Sequence, residues 1–361
     1  MLSSSTTWKA EPLRSGAELT TIEETPTLPG PCSLSAVNGQ NLATSNVDIT
    51  IALVNYNTGH LLDRLFSAIT AAQGDLKLQT IVIDNASRDD SIQLLRGKYP
   101  DVELIENRIN VGFGRANNQA LARMRGRYLL LLNTDAFVAP DTLIKTLRFM
   151  EQNPRSGILG VKLVGEDGSL QPSCRFFPTP WNVFLAANGL ARLFTKTGLV
   201  DDMAWDHSGT RGCDWVPGCY YLVRKEVVDQ VGLFDPRFFL YYEEVDHCRR
   251  SRKAGWDVTY YGDTQVVHVG GESARTDAAI TQAGRQIARL QVESELMYFR
   301  KHYGLLGLLA SILLTACGAL LATIKDTLKP ARRGQGGVER EKLKMIVSLL
   351  LPTRWATQST R

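Results

Sequence analysis

The 361-residue sequence lacks three features that would have fixed its class at once. Its six cysteines form no CxxC pair and no spacing typical of a zinc site, which favours free thiols in a reducing compartment over a disulfide framework. The first 46 residues contain no apolar run, so we expect no secretory signal peptide. The net charge of +4 is too small to indicate nucleic-acid binding. A globular protein remains, and its 44% of hydrophobic residues suffices for one large core.

Residues 47–135 alternate apolar stretches of strand length with segments of helical spacing. The pattern predicts strands at 47–54, 78–83, 102–105 and 128–132, and helices at 61–72, 87–98 and 116–123. Strands and helices that alternate with short connections are typical of an α/β protein, in which flanking helices cover a mostly parallel central sheet. Ligands of such sheets bind beyond the carboxyl ends of the strands.

Polar residues come directly after three of these strands, as Asn55-Tyr56-Asn57, Asp84-Asn85 and Asn133-Thr134-Asp135. Asp84 could accept a hydrogen bond from the N3–H group of a pyrimidine base, or it could only cap the following helix. Asp135 follows a buried strand, where a carboxylate is costly without a partner. We therefore expect Mg²⁺ or Mn²⁺ bridging a diphosphate at Asp135. The alternative is a polar turn that ends the strand.

A glycine pair, Gly112 and Gly114, precedes the third predicted helix. It follows the third strand rather than the first and lacks a third glycine, so it is weak support for a nicotinamide cofactor. A glycine turn that enters a helix can still approach a diphosphate closely. Arg115 would add positive charge there, unless it is an ordinary solvated residue, and Asn118 lies one turn further on.

Three carboxylates, Glu243, Glu244 and Asp246, lie within four residues of each other. Their mutual repulsion should raise the pKa of at least one of them, and a raised pKa suits a general base near neutral pH. The alternative is that they begin a helix, where acidic residues complement the helix dipole. Both interpretations can hold for different members of the group.

His268 follows a strand-like stretch and precedes two glycines, so it is either a metal ligand or a structural histidine. The segment from Trp215 to Cys219, which includes Gly218, could shape an acceptor pocket. The face of a tryptophan ring stacks well on a sugar, although burial in the core would explain Trp215 equally well.

The C-terminal part of the sequence changes character. Residues 304–324 carry no charge and would span about 31 Å as a helix, which matches the core of a bilayer. Basic residues flank this segment on both sides, so a transmembrane and a re-entrant helix both remain open, and a buried core helix is the third alternative. We therefore divide the chain into a disordered leader (1–46), a catalytic domain (47–275), a connecting helix (276–303), the apolar membrane segment (304–324) and a basic amphipathic tail (325–361).

The ordered set of motifs resembles glycosyltransferase family 2, and within it the subgroup of bacterial rhamnosyltransferases. The resemblance covers about residues 47–275. Its carriers are Val54, Tyr56 and Asn57; Val82-Ile83-Asp84-Asn85 with Ser87 and Asp89; Asn110, Gly112-Phe113-Gly114, Ala116 and Asn118; Leu132-Asn133-Thr134-Asp135; Gly218-Cys219; Phe234-Asp235; Phe238-Phe239 with Tyr241, Glu243-Glu244 and Asp246; and His268, Gly271 and Ser273.

The resemblance implies a Rossmann-like nucleotide-binding domain of the GT-A type. Asp84 would contact the base of the nucleotide, Asp135 would hold the metal-bound diphosphate, and His268 would be a second ligand. The acidic pair after Tyr242 would supply the base that deprotonates the acceptor. The sequence departs from the family at two places: Asn133 replaces a frequent first acid, and Glu244 stands where the family usually has Asp.

The function implied is inverting transfer of a sugar, with rhamnose as a candidate, from a dTDP- or UDP-sugar to a lipid-linked saccharide. Such a reaction belongs to the synthesis of a cell-surface polysaccharide at the cytoplasmic face of the cell membrane. Two alternatives remain open. One is a non-catalytic scaffold that binds nucleotide sugar or glycan. The other is a sugar nucleotidyltransferase, although no Lys or Arg follows the first strand before Arg64.

Overall fold

The structure is a computed structural model that describes residues 46–190, 200–201, 205–270, 280–328 and 335–361. These residues belong to one compact unit, Thr44–Arg361. The predicted leader lies outside the described residues except for Asn46, and the predicted domain boundary at 275 also lies outside them. The same holds for Gly271 and Ser273 of the motif that begins at His268.

Strands and helices are numbered here in chain order. The described strands are β1 Val47–Asn55, β2 Leu78–Asp84, β3 Glu103–Glu106, β4 Gly126–Asn133, β5 Ala136–Val138, β6 Ser156–Val164, β7 Leu170–Gln171, β8 Arg211–Gly212, β9 Tyr220–Arg224 and β10 Asp257–His268. The described helices are α1 Gly59–Gln73, α2 Ser91–Lys98, α3 Phe113–Ala120, α4 Thr142–Gln152, α5 Pro180–Ala187, α6 Lys225–Val231, α7 Glu243–Lys253, α8 Ile280–Leu328 and α9 Gln335–Leu350.

These ten strands form one sheet in the order β3-β2-β1-β4-β9-β6-β10-β5, with β7 beside β6 and β8 beside β10. Strands β3, β2, β1 and β4 are parallel neighbours, as the alternating pattern predicts. Strand β9 runs antiparallel between β4 and β6 and so makes the sheet mixed. Because β6 is antiparallel to β9, it points the same way as β4, and β10 is parallel to β6. The predicted α/β class and mostly parallel sheet are therefore confirmed.

The apolar residues of β1 and β4 explain why these strands lie in the middle of the sheet. Leu129, Leu130 and Leu131 of β4 are fully buried, and alternate residues of both strands enter core clusters on opposite faces of the sheet. Burial of one such side chain contributes about 1.5–3 kcal/mol. The register places Asn55 beside Asp84, and Val54 beside Asn133, so that the polar strand ends meet at one edge.

Two local elements differ from the sequence-based expectation. Helix α2 begins at Ser91 rather than Ser87, because the Asp89 carboxylate accepts hydrogen bonds from the backbone N–H groups of Ser91 and Gly59. Helix α5 was not predicted from the sequence. Its signal was present: Thr179 and Asn182 form a reciprocal capping box, and Pro180 occupies the first helical position.

Helix α8 is broken at Gly304, whose φ of 69° and ψ of −165° are not helical. We call its two parts the docking helix (280–303) and the leucine helix (305–328). The docking helix packs on the catalytic core, where Tyr298 and Phe299 are fully buried. The leucine helix contacts Asn188 at the end of α5, and the break at Gly304 allows this change of direction. Helix α9 contacts the docking helix, where Lys342 pairs with Glu295 at 2.9 Å.

Candidate active site

A cavity of about 670 Å³ opens at the carboxyl ends of β1 and β2, a volume within the usual range for small-molecule sites. Asp84, Ser87 and Tyr56 line one part of it. Asn107 and Asn110, from the connection after β3, line another part. The predicted nucleotide-binding residues Tyr56 and Asp84 thus share one cavity.

Asn55 organises the floor of this cavity. It is fully buried, and its side-chain N–H₂ group donates to Asp84 Oδ1 (2.8 Å) and to Ser87 Oγ (3.0 Å). Its side-chain oxygen accepts a hydrogen bond from Thr58 Oγ1 at 2.7 Å, and Thr58 Oγ1 lies 2.8 Å from Thr134 Oγ1. The ends of β1, β2 and β4 are therefore tied together by side chains before any ligand binds. Such preorganisation keeps the Asp84 carboxylate at a fixed position.

Asn57 and Asn85 hold the two loops beside Asp84. The Asn57 side-chain oxygen accepts from the backbone N–H of Arg88 at 2.7 Å. Asn85 donates to Asn110 Oδ1 and accepts from the backbone N–H of Val111 at 3.0 Å. Both predicted site residues therefore shape the loops of the cavity through backbone contacts.

Gly112 lies where this edge meets the loop before α7. Its φ is 89°, and a Cβ atom built on it would lie only 2.4 Å from the backbone oxygen of Phe239. The next residue, Phe113, donates its N–H to that same oxygen at 2.8 Å. Only glycine fits such a position. At this glycine turn the backbone therefore comes close to the backbone of the loop that leads to the acidic residues.

Arg115 and Asn118 lie apart from the cavity-lining residues. The Arg115 guanidinium donates to the backbone oxygens of Pro236 and Arg361, both at 2.7 Å. Asn118 exchanges two hydrogen bonds with the backbone of Phe234, at 2.8 and 3.0 Å. In this structure both side chains fix the chain that leads into α7, and Arg115 also fixes the C-terminal residue.

Asp135 and His268 approach each other across the β5–β10 pair. Asp135 Oδ1 lies 3.6 Å from His268 Nε2, and the two side chains are largely buried. Gln171 sets the tautomer of this histidine. Its side-chain N–H₂ group donates to the backbone oxygen of His268 at 2.8 Å, so its side-chain oxygen, 2.8 Å from Nδ1, must accept the Nδ1–H proton.

This arrangement leaves a lone pair on His268 Nε2 that faces a carboxylate oxygen. Burial lowers the pKa of His268, although the negative charge of Asp135 opposes that shift, so the imidazole is neutral at neutral pH. Two acceptor atoms that face each other in this way suit a divalent cation, which accepts imidazole nitrogen and carboxylate oxygen together. Among the described residues, no group of three or more His, Cys, Asp or Glu gathers to form a complete metal site. The remaining ligands would therefore be diphosphate oxygens and water.

Glu243 and Glu244 begin α7 after an unusual turn. Tyr241 and Tyr242 have φ angles of 70° and 69°, a conformation that costs non-glycine residues about 1–2 kcal/mol each. Burial, and for Glu243 the charge of Glu244, raise the pKa values of both carboxyl groups. The Oε2 atom of each glutamate is buried without a hydrogen-bond partner in the described structure. A buried polar atom without a partner is costly, and active sites are where such costs occur.

Asp246, one turn further on, has a different environment. It is fully buried and accepts contacts from Lys301 Nζ (2.6 Å), His302 Nε2 (2.7 Å) and Arg250 Nε (2.8 Å). Burial opposes ionisation, but His302, Lys301 and Arg250 together lower the pKa of Asp246 to about 2. Lys301 also contacts Asp235 at 2.7 Å. Asp246 therefore joins α7 to the docking helix.

Of the three predicted acceptor residues, Gly218 and Cys219 lie near the two carboxylate regions and Trp215 does not. Gly218 faces the ring of Phe113, and burial, followed by the charges of Asp135 and Glu244, raises the pKa of Cys219 to about 12. Trp215 is buried in the core, where its N–H donates to the Phe176 backbone oxygen and the Arg175 guanidinium lies 4.1 Å from its ring. Gly218 and Cys219 therefore sit close to both carboxylate regions, whereas Trp215 packs in the core.

Sequence reasoning missed two residues of this region. Gln171 lies on β7, a strand of two residues without a periodic signal. Arg175 acts on Glu244, because its charge lowers the pKa that burial of the carboxyl raises. Arg175 also pairs with Asp201 at 2.5 Å. Neither residue belongs to a motif quoted in the sequence analysis, so no local signal pointed to them.

The comparisons with known proteins agree with this geometry. Residues 50–202 match the family model described as Glycosyl transferase family 2. The N-acetylglucosaminyl-diphospho-decaprenol L-rhamnosyltransferase of Mycobacterium tuberculosis (strain ATCC 25618 / H37Rv) is 28% identical over 256 residues, 64% of this chain and 79% of that protein. Rhamnosyltransferase WbbL of Escherichia coli (strain K12) is 26% identical over 230 residues, 61% of this chain and 83% of that protein.

A solved structure shows similarity of fold. The mannosyltransferase PcManGT from Pyrobaculum calidifontis, in complex with GDP-Man and Mn²⁺, superposes with a TM-score of 0.51. The match covers 86% of this chain and 88% of that chain at 15% sequence identity. The predicted GT-A type of fold is confirmed.

Proposed function

Because this chain is a glycosyltransferase with a family 2 domain, we propose that it is an inverting enzyme acting on a lipid-linked saccharide. The donor would be a dTDP- or UDP-sugar, with rhamnose as the candidate sugar, and the product would enter a cell-surface polysaccharide. The names of the mycobacterial and E. coli relatives support the sugar, and the decaprenol in the mycobacterial name supports the acceptor class. The observation that carries the proposal is the pair of buried glutamates that begin α7, each with an Oε2 atom that has no hydrogen-bond partner among the described residues. The charges of Glu244 and of Asp135 both act on Cys219, which links this pair to the Asp135–His268 pair.

The nucleotide would occupy the cavity beside Asp84. A carboxylate held by Asn55 and by the backbone N–H of Ser87 keeps free lone pairs for the N3–H group of uracil or thymine. Both bases present that donor, so this contact favours pyrimidine nucleotides without separating dTDP from UDP. Asn133 lies at the end of β4, next to the expected diphosphate position.

Asp135 and His268 would hold Mg²⁺ or Mn²⁺ together with the diphosphate. The neutral imidazole and the buried carboxylate form a donor set that suits either ion. A bound cation supplies charge that stabilises the departing nucleoside diphosphate. Gln171 would keep the Nε2 lone pair of His268 directed at that ion.

Glu244 would act as the general base. The acceptor oxygen forms a bond to the anomeric carbon, the bond from that carbon to the diphosphate breaks, and the acceptor proton passes to the Glu244 carboxylate. A pKa raised by burial makes this carboxylate a stronger base than an exposed glutamate. Glu243 is the second candidate. Asp246 is the weakest, since the cations of Lys301 and Arg250 and the imidazole of His302 occupy its carboxylate.

Attachment to the cytoplasmic face of the membrane would bring this site to a lipid-linked acceptor. Among the described residues one helix, Gln286–Thr327, is long and apolar enough to cross a bilayer. Length and composition alone are weak support for a membrane protein. The decaprenol-linked substrate in the name of the mycobacterial relative adds support for membrane attachment.

The test is a donor screen with the purified full chain. Each dTDP-, UDP- and GDP-sugar is offered with membrane lipid acceptors, with Mg²⁺, with Mn²⁺ and with a chelator. We expect metal-dependent transfer from one dTDP- or UDP-sugar, with inversion at the anomeric carbon. Binding of a nucleotide sugar without turnover across the panel would favour a scaffold. Formation of a nucleotide sugar from a sugar 1-phosphate would favour a nucleotidyltransferase, and full activity in chelator would contradict the role of Asp135.

A further inference from the structure

The exposed face of the leucine helix is apolar from Leu305 to Ile324. Leu306 is 81% exposed, Leu313 is 65% exposed and Leu320 is 63% exposed. At intervals of three, four or seven residues these side chains share one face of a helix. The exposed large apolar residues of the helix are Leu305, Leu306, Leu309, Leu313, Leu320, Leu321 and Ile324, and Cys317 lies among them.

The opposite face of the leucine helix is buried against the protein. Leu308 is fully buried, and Ser311, Ala319 and Ala322 are nearly so. At Gly318 an added Cβ would lie 2.8 Å from the side chain of Asn188, which follows α5. Small residues on this face allow close helix contacts. The helix therefore has a protein side and an uncovered apolar side, the reverse of an ordinary surface helix.

The leucine helix is held at both ends against the same short stretch of the catalytic domain. Immediately before it, at the end of the docking helix, Tyr303 OH donates to the backbone oxygen of Pro178 at 3.0 Å. Near its end, Lys325 Nζ donates to the backbone oxygen of Asn188 at 2.9 Å. Pro178 and Asn188 lie at the two ends of α5, so the leucine helix runs beside the whole of α5. A helix that crossed the bilayer would carry its far end about 30 Å from the domain surface.

From this geometry we propose that the leucine helix lies in the plane of a bilayer surface and inserts its apolar face between the lipids, rather than crossing the bilayer. The proposal rests on the membrane attachment in the proposed function, and it states how that attachment is made. A second copy of the chain is the other occupant to consider. Protein interfaces normally have a polar rim around an apolar centre. The exposed residues between Leu305 and Ile324 include no charged side chain, which favours lipid.

The residues that follow α9 have a similar exposed apolar character. Leu351 is 79% exposed and Trp355 is 45% exposed, and exposed Arg354 lies between them in the chain. A tryptophan, a leucine and an arginine together are typical of segments at the interface between lipid headgroups and tails. The arginine complements anionic headgroups. A surface with phosphatidylglycerol is therefore the appropriate probe.

The native thiol of Cys317 provides a reporter on the apolar face. In the described part of the chain it is the exposed cysteine, while Cys174, Cys213, Cys219 and Cys248 are buried. In a Cys32→Ser background, an environment-sensitive fluorophore is attached to Cys317. The labelled full chain is mixed with vesicles of phosphatidylglycerol and phosphatidylcholine in equal parts. We expect a blue shift of the fluorophore and quenching by lipids that carry a quencher at a shallow position of the acyl chain.

A second label separates an in-plane helix from a spanning one. Thr327→Cys lies at the far end of the leucine helix, and Asp75→Cys lies on the exposed surface of the catalytic domain. With protein added to preformed vesicles, a membrane-impermeant maleimide should label both positions equally before and after detergent. Protection of Thr327→Cys until detergent is added, with Asp75→Cys always labelled, would overturn the proposal in favour of a spanning helix.

The apolar face itself is tested with Leu306→Glu, Leu313→Glu and Leu320→Glu combined. We expect co-flotation with the vesicles to fall by at least about tenfold, because each buried charge costs several kcal/mol in lipid. Ile109→Glu, at a 70% exposed position in the catalytic domain, is the matched control and should float as before. Unfolding curves of the triple variant check that it remains folded.

The outcomes also separate this inference from the proposed function. Unchanged flotation of the triple variant would overturn the inference. So would a dimer that becomes a monomer in the triple variant while the Cys317 fluorophore ignores vesicles, since a second copy would then cover the face. Vesicle docking in a chain that transfers no sugar would contradict the proposed function alone. Transfer to a short-chain soluble acceptor should be the same in the triple variant as in the unmodified chain.

Discussion

The start of α7 contains two regions of opposite character within a single turn. Glu243 and Glu244 have pKa values raised by burial, and each has an oxygen without a hydrogen-bond partner in the described structure. Asp246 has Lys301, His302 and Arg250 around it, and its pKa is lowered to about 2. The sequence presents these residues as one acidic cluster. Residues distant in the chain decide which carboxyl is held in ion pairs and which is left to accept a proton.

The docking helix is the source of this difference. Lys301 and His302 come from its last turn and reach Asp246, while Ser294 Oγ donates to the backbone oxygen of Leu240 at 2.8 Å. Tyr242 OH donates to Glu295 of the same helix at 3.2 Å. The strained turn at Tyr241 and Tyr242 is therefore held by a helix outside the sheet. This coupling implies that loss of Asp246 and loss of Glu244 should produce different defects.

The largest effect should come from Glu244→Gln. If Glu244 is the base, kcat should fall by about 10²–10⁴-fold, the usual contribution of general base catalysis, with stability kept or increased. Steady-state kinetics with the donor found in the screen measures this change. Glu244→Asp is the matched control and should retain part of the rate. Full activity of the glutamine variant would move the base to Glu243.

Asp246→Asn should reduce stability more than it reduces kcat, the opposite of Glu244→Gln. Removal of one partner from a buried ion-pair cluster costs about 3–5 kcal/mol. Arg250 would lose its carboxylate partner, and Lys301 would keep only Asp235. We expect this loss in the free energy of unfolding, measured by denaturant titration, and a smaller loss of kcat for the folded fraction. Asp75→Asn, at an exposed position, should change stability little. If the folded Asp246→Asn variant were inactive with normal stability, the comparison would be inverted.

The pH dependence of stability should also differ between Asp246 and the two glutamates. The pKa of Asp246 is lower in the folded state, so its contribution of about 2 kcal/mol is complete above pH 4 and is lost as the pH falls toward 2. Glu243 and Glu244 have raised pKa values, so they favour folding at low pH, and that contribution is lost as the pH rises through their folded pKa values. Denaturant midpoints of Glu244→Gln against pH should lack part of this second change.

The smallest effect concerns His268, whose hydrogen-bond partner is the neutral side-chain amide of Gln171. Gln171→Ala removes the acceptor for the Nδ1–H proton, and affinity for Mn²⁺ should fall by about tenfold. Gln171→Glu should restore much of it, because a carboxylate also accepts that proton. Calorimetric titration with Mn²⁺ and nucleoside diphosphate measures both variants. Equal affinity in all three proteins would mean that His268 is not a ligand.

The sequence predicted the sheet well because its signals are local. The apolar runs in β1, β2 and β4 and the polar residues after them predicted both the strands and the edge where Asn55, Asp84 and Asn133 meet. The antiparallel direction of β9 was not predicted. The direction of a strand depends on how the long irregular segment before it returns to the sheet, and no local sequence pattern predicts that path.

The candidate site was less predictable because its chemistry depends on distant partners. Arg115 looked like a diphosphate ligand, yet in this structure it contacts Pro236 and Arg361. The roles of Glu244 and Asp246 could not be separated until Lys301 and His302 were seen beside Asp246. Gln171 had no motif at all. Each case joins residues far apart in the chain through side-chain geometry alone.

The placement of β9 has an evolutionary consequence. The excursion between β6 and β9, residues 165–219, leaves and re-enters the sheet at neighbouring strands, and its short strands β7 and β8 pair with β6 and β10. Lengthening a loop between fixed ends costs little, since closure entropy grows only with the logarithm of loop length. The stretch between β7 and β8 can therefore differ in length between homologues without a change in the sheet or in Gln171. We expect chimeras that exchange only this stretch to change the choice of acceptor while the donor half of the enzyme stays as it is.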